Sequence, residues 1–543
     1  MRNSLEYWIR YAQTVRHLKP IQVWGRVLAV LKQRLGSISL PDLPEQLDTI
    51  PAPSQGIHGH DVWNTKKDIQ QGVFTFLNES RDLGEVVDWK AASAPLLWRF
   101  NLHYFHYIHL LDLEEQVRLC QAWINEHPPG TPIAWHPYPT SLRLVNWSRT
   151  RMRTRPIMES AYLQAGHLYR NIEHHITGNH VIENARALVV MGHFFKQQGE
   201  AKKWFEEGVN LIVSEIKEQI LPDGGHFERS PMYHAIMLEC FLDVLDVLPP
   251  THKAHAVILP AVTQMADFLA SLTHPDGHLA LFNDSTQEIA AKPHDLLERV
   301  AGVSGHQAKQ QTIFHDTGYY AFHGKEIYLI LDGGAVGPDH LMAHAHADVF
   351  SYELSIKGEQ FIVDSGVYEY QKGAMRDYVR STRAHNTVCV DDTDQVECWD
   401  SFRVARRWAP DNIVFASQGA QCRFDGIYGG YAHLIGDQIM HRRKVTVYED
   451  KKQIQVDDLV DGVGAHRVES LIHLHPDVSV QEWDDYIMLS KNDVTCRLES
   501  KASGMRIESG WYCPKFGTRL SNEVIVLEGD NHLPVHLSYT LSY

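Results

Sequence analysis

With 543 residues and 62.1 kDa, the chain is about three to four times the usual length of one domain, which excludes a single small fold. Hydrophobic residues at 44% and charged residues at 22% exclude a disordered, collagenous or coiled-coil chain. A formal charge of −16 argues against a nucleic-acid partner, although a local basic groove for an anionic polymer stays open.

The chain begins basic. Arg2, Arg10, Arg16, Lys19, Arg26, Lys32 and Arg34 face only Glu6 over the first 36 residues. Residues 1–35 read as a basic amphipathic helical segment packed on the domain, with peripheral contact to an anionic membrane surface as the other reading. The apolar stretch Val27 to Leu31 lies between Arg26 and Lys32, too short for a signal-peptide core or a spanning helix. A cytoplasmic address is therefore expected, a periplasmic or membrane-associated one being the alternative. Seven scattered cysteines without a CxxC pair predict no disulfide framework.

Farther along, Trp135, His136, Tyr138, Arg143, Asn146 and Trp147 combine flat rings with polar arms, and Arg149, Arg151, Arg153 and Arg155 form a basic run. Both suit a sugar or polyanion groove, and both also suit an ordinary core and a solvated face. Phe205, Val209, Ile212, Ile216 and Ile220 form a helical stripe that stops at Pro222 and Gly224. A second helix is expected from Ile236 to Leu248, before Pro249 and Pro250. After about Phe314 the texture changes to short runs rich in Tyr, Val and Ile. Tyr352, Leu354 and Ile356 alternate with polar residues, and Lys357 and Gly358 turn the chain toward Phe361 and Val363. Val445 and Val447 should pair with Ile454 and Val456 across a turn at 449–452. Helices first and strands second, without βαβ alternation, predict two segregated domains, 1–310 and 311–543.

Three constellations could carry chemistry. Gly178-Asn179-His180 with Glu183 and Asn184 places polar groups on one helical face, which suits either a cleft or a helix start capped by Asn179. Asp223 to His234 is a glycine turn followed by polar residues and Tyr233, a catalytic loop or a capped turn. His344-Ala-His346-Ala-Asp348 precedes a strand, followed by Asp364 and His385. On a strand His344 and His346 would share a face, and two imidazoles with a carboxylate are a suitable zinc shell.

Together the segments GNHVIENARAL, DGGHFERSPMYH, HAHADVFSYEL with the downstream VDSG, and RSTRAHNTV resemble the heparinase II/III-like polysaccharide lyases, which include alginate and oligoalginate lyases. WHPYPTSLRLVNW is similar to that family's helical domain, and the resemblance runs from about Trp98 to Trp408. It implies an α+β multidomain chain, an incomplete α/α toroid followed by an antiparallel β-sandwich. It implies that Asn179, aided by His180, neutralises a substrate carboxylate, and that Tyr233 and His344 are the catalytic tyrosine and histidine. It makes His346, Asp364 and His385 ligands of a structural zinc, with Tyr370 and Arg380 as weaker neighbours. The implied activity is β-elimination on a uronate-containing acidic polysaccharide or oligosaccharide, and the basic start favours an exopolysaccharide, capsule or surface-glycan intermediate. A zinc-dependent hydrolase is an alternative, because HAHAD resembles the HxHxD motif of metallo-β-lactamase-like enzymes, although Val349 stands where those usually have His. A non-catalytic glycan-binding component of a surface-polysaccharide assembly system is the third reading.

Overall fold

The computed structural model describes residues 2–35, 38–50 and 63–543. An incomplete α/α toroid is followed by an antiparallel β-sandwich. Helix Pro293–Ser304 closes the helical half, ending on Gly305 at φ 71, and the first sandwich strand is Ile313–Phe314.

The toroid helices follow from apolar spacing and their start signals. Phe205, Val209, Ile212 and Ile216 are buried along helix Ala201–Gln219. The helix expected from Ile236 begins earlier, at Pro231, because Ser230 Oγ caps it by accepting from the Tyr233 N–H at 3.2 Å and proline suits the first helical position. That extra turn places Tyr233 on the helix and not in a loop. Helix Asn179–Phe194 is buried on nearly every side, so its polar residues Asn184 and Arg186 are committed to internal partners.

Glycines set how closely two of these helices approach. A Cβ at Gly208 would lie 2.8 Å from Ala185 O and 2.8 Å from Val189 Cγ2, and one at Gly192 would lie 2.6 Å from Phe205 Cβ. Each glycine thus admits the neighbouring helix, which outweighs its poor helix propensity.

The sandwich contains three larger antiparallel sheets and the short hairpin Cys398–Trp399 with Arg403–Val404. Eight strands run in the order Asp411–Gln418, Gln421–Tyr428, Met440–Tyr448, Gln453–Asp461, Val535–Ser542, Val494–Ser500, Ile487–Lys491 and Ser479–Glu482. Four more pair as Gly504–Lys515, Thr518–Glu528, Val468–His473 and Val388–Val390, and a five-stranded meander spans 313–362. Val445 pairs with Val456 and Val447 with Ile454, with Lys452 at φ 52 finishing the turn. The apolar core between sheets also holds a buried polar cluster around Arg443, whose guanidinium meets both Asp458 oxygens at 2.7 Å and the Phe350 carbonyl at 2.9 Å. Such a buried charge is tolerated because its donors are matched.

Gly208→Ala tests the helix contact. Alanine is worth about 1 kcal/mol over glycine in a helix. Its methyl group meets a backbone oxygen that cannot swing aside, an overpacking penalty of about 1–3 kcal/mol. The expected net result is a lower unfolding temperature, and an unchanged or higher one would show that the two helices can separate freely.

Candidate active site

Helical and sandwich residues meet around a cleft of about 770 Å³, lined by Asn179, His180 and Tyr233 from the toroid and by His344, Tyr370 and Phe402 from the sandwich. Asn179 and His180 open their helix. Gly178 is the cap residue, at φ 58, and a Cβ there would lie 2.3 Å from Glu228 Oε1. That oxygen accepts the Asn179 backbone N–H at 3.3 Å, so a carboxylate from another segment takes the positive end of the helix. Asn179 is therefore not the cap, and its buried side-chain Oδ1 has no hydrogen-bond partner.

His180 Nδ1 lies 3.2 Å from Glu173 Oε1, with the Tyr138 ring 4.4 Å away. Burial pulls the imidazole toward neutrality, but the Glu173 carboxylate outweighs it and holds the His180 pKa above the ordinary value. Asn184 anchors Glu173 from the opposite side, giving an amide N–H to its Oε2 at 3.2 Å.

The Tyr233 and His344 rings lie in tilted contact, centroids 4.0 Å apart and planes at 32°, and the Tyr233 hydroxyl lies 3.1 Å from that of Tyr370. Burial raises the Tyr233 pKa, and the Tyr370 hydrogen bond offsets this only in part. His344 Nδ1 lies 2.9 Å from Asp284 Oδ2, and His346 Nε2 lies 2.9 Å from Asp284 Oδ1. Arg376 grips the same carboxylate with both terminal nitrogens, one at 2.8 Å. Burial alone would raise the Asp284 pKa, yet Arg376 and the bonds from both histidines hold it well below the carboxylate range. An anionic Asp284 only accepts, so both imidazoles direct an N–H at it. The other ring nitrogen of His344, Nε2, lies 3.6 Å from Glu228 Oε2. Burial keeps the Glu228 pKa raised, an effect that His344 and the Asn179 N–H partly offset.

The strand expected at His344 and His346 is absent. Residues 341–350 form an irregular loop whose backbone is held by side chains. The His346 N–H donates to Asn283 Oδ1 at 3.0 Å, and Ala345 O accepts from Arg380 Nε at 3.1 Å. The two histidines converge because Asp284 gathers both, not because a pleat aligns them.

His346, His385 and Asp364 lie close together. The two rings are 5.3 Å apart, and His385 Nδ1 lies 2.8 Å from Asp364 Oδ2. Among the described residues, no group of three or more His, Cys, Asp or Glu side chains is arranged as it stands to hold a metal ion. The chemistry of the donors nevertheless fits one. His346 Nδ1, His385 Nε2 and Asp348 Oδ2 are all buried without a hydrogen-bond partner. Burial pushes Asp348 up to about 6, with Asp364 adding to the effect. Neighbouring carboxylates beside unmatched ring nitrogens suit a cation.

The other sequence candidates divide. Tyr138, Asn146 and Arg149 reach the cleft, whereas Arg143 is fully buried, donating to Gln164, His103 O and Ala134 O. Trp135 and Trp147 belong to the core. The basic run forms no groove: Arg149 turns inward to Asp243 at 2.5 Å, Arg153 lies over the Phe194 ring and Arg155 pairs with Glu159. Asp284, Glu228, Glu173 and Arg376 were missed. Glu228 sits inside a motif already singled out, and Asn283 to Thr286 is a wholly buried polar island beside the apolar run 279–282, the one local signal that marked Asp284.

Comparison with known proteins gives the chain its relatives. The family described as "Heparinase II/III N-terminus" matches residues 155–304, and "Heparinase II/III-like, C-terminal" matches residues 306–538. A heparin-sulfate lyase of Pedobacter heparinus is 25% identical over 246 residues, 40% of this chain and 37% of that protein. One of Bacteroides thetaiotaomicron is 22% identical over 410 residues, 65% of this chain and 56% of that protein. The chain thus spans between about a third and a little over half of these relatives' length. A solved structure of heparinase III, at 16% identity, superposes with a TM-score of 0.68 over 95% of this chain and 89% of that one, a likeness of fold. The two family matches adjoin and together cover well over half of the chain, and the chain belongs to the heparinase II/III-like family.

Proposed function

We propose that the chain is a polysaccharide lyase that cleaves a uronate-containing glycan by β-elimination. The observation that carries this reading is the Tyr233 and His344 pair in ring contact, with Asp284 behind the histidine and the Asn179–His180 helix start lining the same cleft. β-Elimination breaks the C5–H bond, forms a C4–C5 double bond and expels the O4 leaving group with a proton. The C5 proton is weakly acidic, so donors must neutralise the adjacent carboxylate as the enolate develops. Asn179 and a protonated His180 suit that task. One of Tyr233 and His344 takes the C5 proton and the other protonates O4. Which does which follows from whether the hydrogen and the leaving group lie on the same or opposite faces of the sugar.

The charge of the cleft favours a carboxylated substrate with little sulfate. Arg149 and Arg186 line it, but Asp243 engages both, at 2.5 and 3.1 Å, and Glu183 holds Arg186 at 2.6 Å. Lys372, at the rim, faces Asp400 at 3.6 Å. Sulfate recognition calls for guanidinium or ammonium donors that are still available. An exopolysaccharide, capsule or surface-glycan intermediate built on plain uronates matches this balance.

A structural zinc completes the reading. His346 and His385 would hold it, with Asp364 or the unmatched Oδ2 of Asp348 supplying carboxylate oxygen, and the ion would neutralise the buried acids and fix the loop that carries His344.

Three outcomes are expected. Tyr233→Phe should lower turnover on uronate oligosaccharides by about 10²–10⁴-fold at an unchanged unfolding temperature, read from ultraviolet absorbance of the unsaturated product. Near-normal turnover would remove Tyr233 from the reaction. The raised His180 pKa means the ring is charged at low pH and neutral at high pH. KM should therefore stay low past the ordinary imidazole value of about 6.5 and rise only at higher pH, and His180→Gln should flatten that dependence; an already flat wild-type profile rejects the role. Elemental analysis should find zinc in the purified protein, lost in His385→Ala, and chelation should lower the unfolding temperature before it lowers turnover. A zinc-free wild type of full stability would reject the metal.

A further inference from the structure

The first two helices, Arg2–Val15 and Pro20–Leu35, touch the rest of the chain along one edge each. On the first, Tyr7 packs edge-on against Trp399 with ring centroids 5.6 Å apart, and Arg403 lies over the Tyr11 ring. Thr14 Oγ1 accepts from Trp399 Nε1 at 3.0 Å and donates to Val404 O at 3.2 Å. Positions 7, 11 and 14 make one face, and Leu5, Trp8 and Ile9 lie off it, turned to solvent with Trp8 62% exposed. On the second helix Gln22 donates to His340 O at 3.1 Å, a Cβ at Gly25 would meet His175 Cβ at 2.9 Å, and Lys32 reaches Arg170 O at 2.6 Å. The neighbouring stripe carries Ile21, Trp24, Leu28 and Leu31, all exposed, with Trp24 at 67%.

This inverts the usual rule, by which an amphipathic helix turns its apolar stripe inward. Contiguous exposed apolar surface of this kind marks a binding face. Its surroundings name the occupant. Arg16, Arg26, Lys32 and Arg34 are exposed around it, and Glu6 is the sole acid in the first 36 residues of a chain with net charge −16. Basic residues bordering exposed tryptophans suit the headgroup region of an anionic bilayer. A second copy of the chain suits it poorly, because a two-fold contact sets the same cationic patch against itself. Neither helix, at 14 and 16 residues, reaches across a membrane, and no described helix is long and apolar enough to do so.

We infer that these two helices form a dock for an anionic lipid surface, lying in the plane of the interface with Trp8 and Trp24 inserted and the arginines on lipid phosphates. The inference stands independently of the reaction. It also places the cleft near the lipid surface, because the hairpin that holds the first helix carries Ser401 and Phe402 to the cleft wall.

The test is co-sedimentation of the full chain with phosphatidylcholine vesicles, with and without phosphatidylglycerol. The expected result is binding that requires phosphatidylglycerol, weakens with added salt and falls about tenfold or more in a Trp8→Asp, Trp24→Asp double variant that keeps its unfolding temperature. Binding that is absent, or indifferent to phosphatidylglycerol, overturns the inference. So does wild-type self-association without lipid that the double variant abolishes, since the face would then belong to a second copy.

Discussion

A carboxylate sealed from water must be surrounded by donors, and Asp284 organises the cleft by that requirement. An unpaired buried charge carries a penalty of several kcal/mol even after the protein relaxes. Here Arg376, His344 and His346 all converge on it, and each comes from the sandwich half. Its backbone is used as well: Asp284 O accepts from Ser230 Oγ at 2.8 Å, the same hydroxyl that caps the Tyr233 helix. One residue therefore fixes the tyrosine through its carbonyl and the histidine through its carboxylate. Arg376 extends the arrangement by lying 4.9 Å from the Tyr370 ring and donating to Ser401 O at 2.9 Å.

The same logic governs the floor of the cleft. Asp243 is buried among Arg149, Arg186 and Arg299, which outweigh its desolvation and hold it far below the carboxylate range. These arginines buttress helices and leave little positive charge to offer a ligand. Recognition falls to amides, imidazoles and aromatic faces such as Tyr138 and Phe402, groups suited to sugar rings and single carboxylates.

The order of helices and strands was readable because periodicity is local. The Phe205 to Ile216 stripe and the Val445/Val456 register needed only neighbours along the chain. Asn179, His180, Tyr233 and His344 were nameable from motif resemblance, and all four line one cleft. Their supporting residues were hidden because the partners are distant in sequence: 60 residues separate Asp284 from His344, and 92 separate it from Arg376. The strand assigned to His344 and His346 failed for a related reason. Long-range side-chain bonds from Asn283 and Arg380 replace the ladder that the alternation implied. Helix capping misled in the opposite direction at Asn179, where Glu228 does the neutralising and Gly178 supplies a turn that only glycine fits.

The short hairpin Cys398–Trp399 with Arg403–Val404 has two working ends. One end grips the first helix through Trp399 and Val404, and the other supplies Phe402 to the cleft and the Ser401 carbonyl to Arg376. It is a lever with its load beside Asp284 and its handle on the outer surface. The outer helix and the cleft wall are thus joined by seven residues of chain.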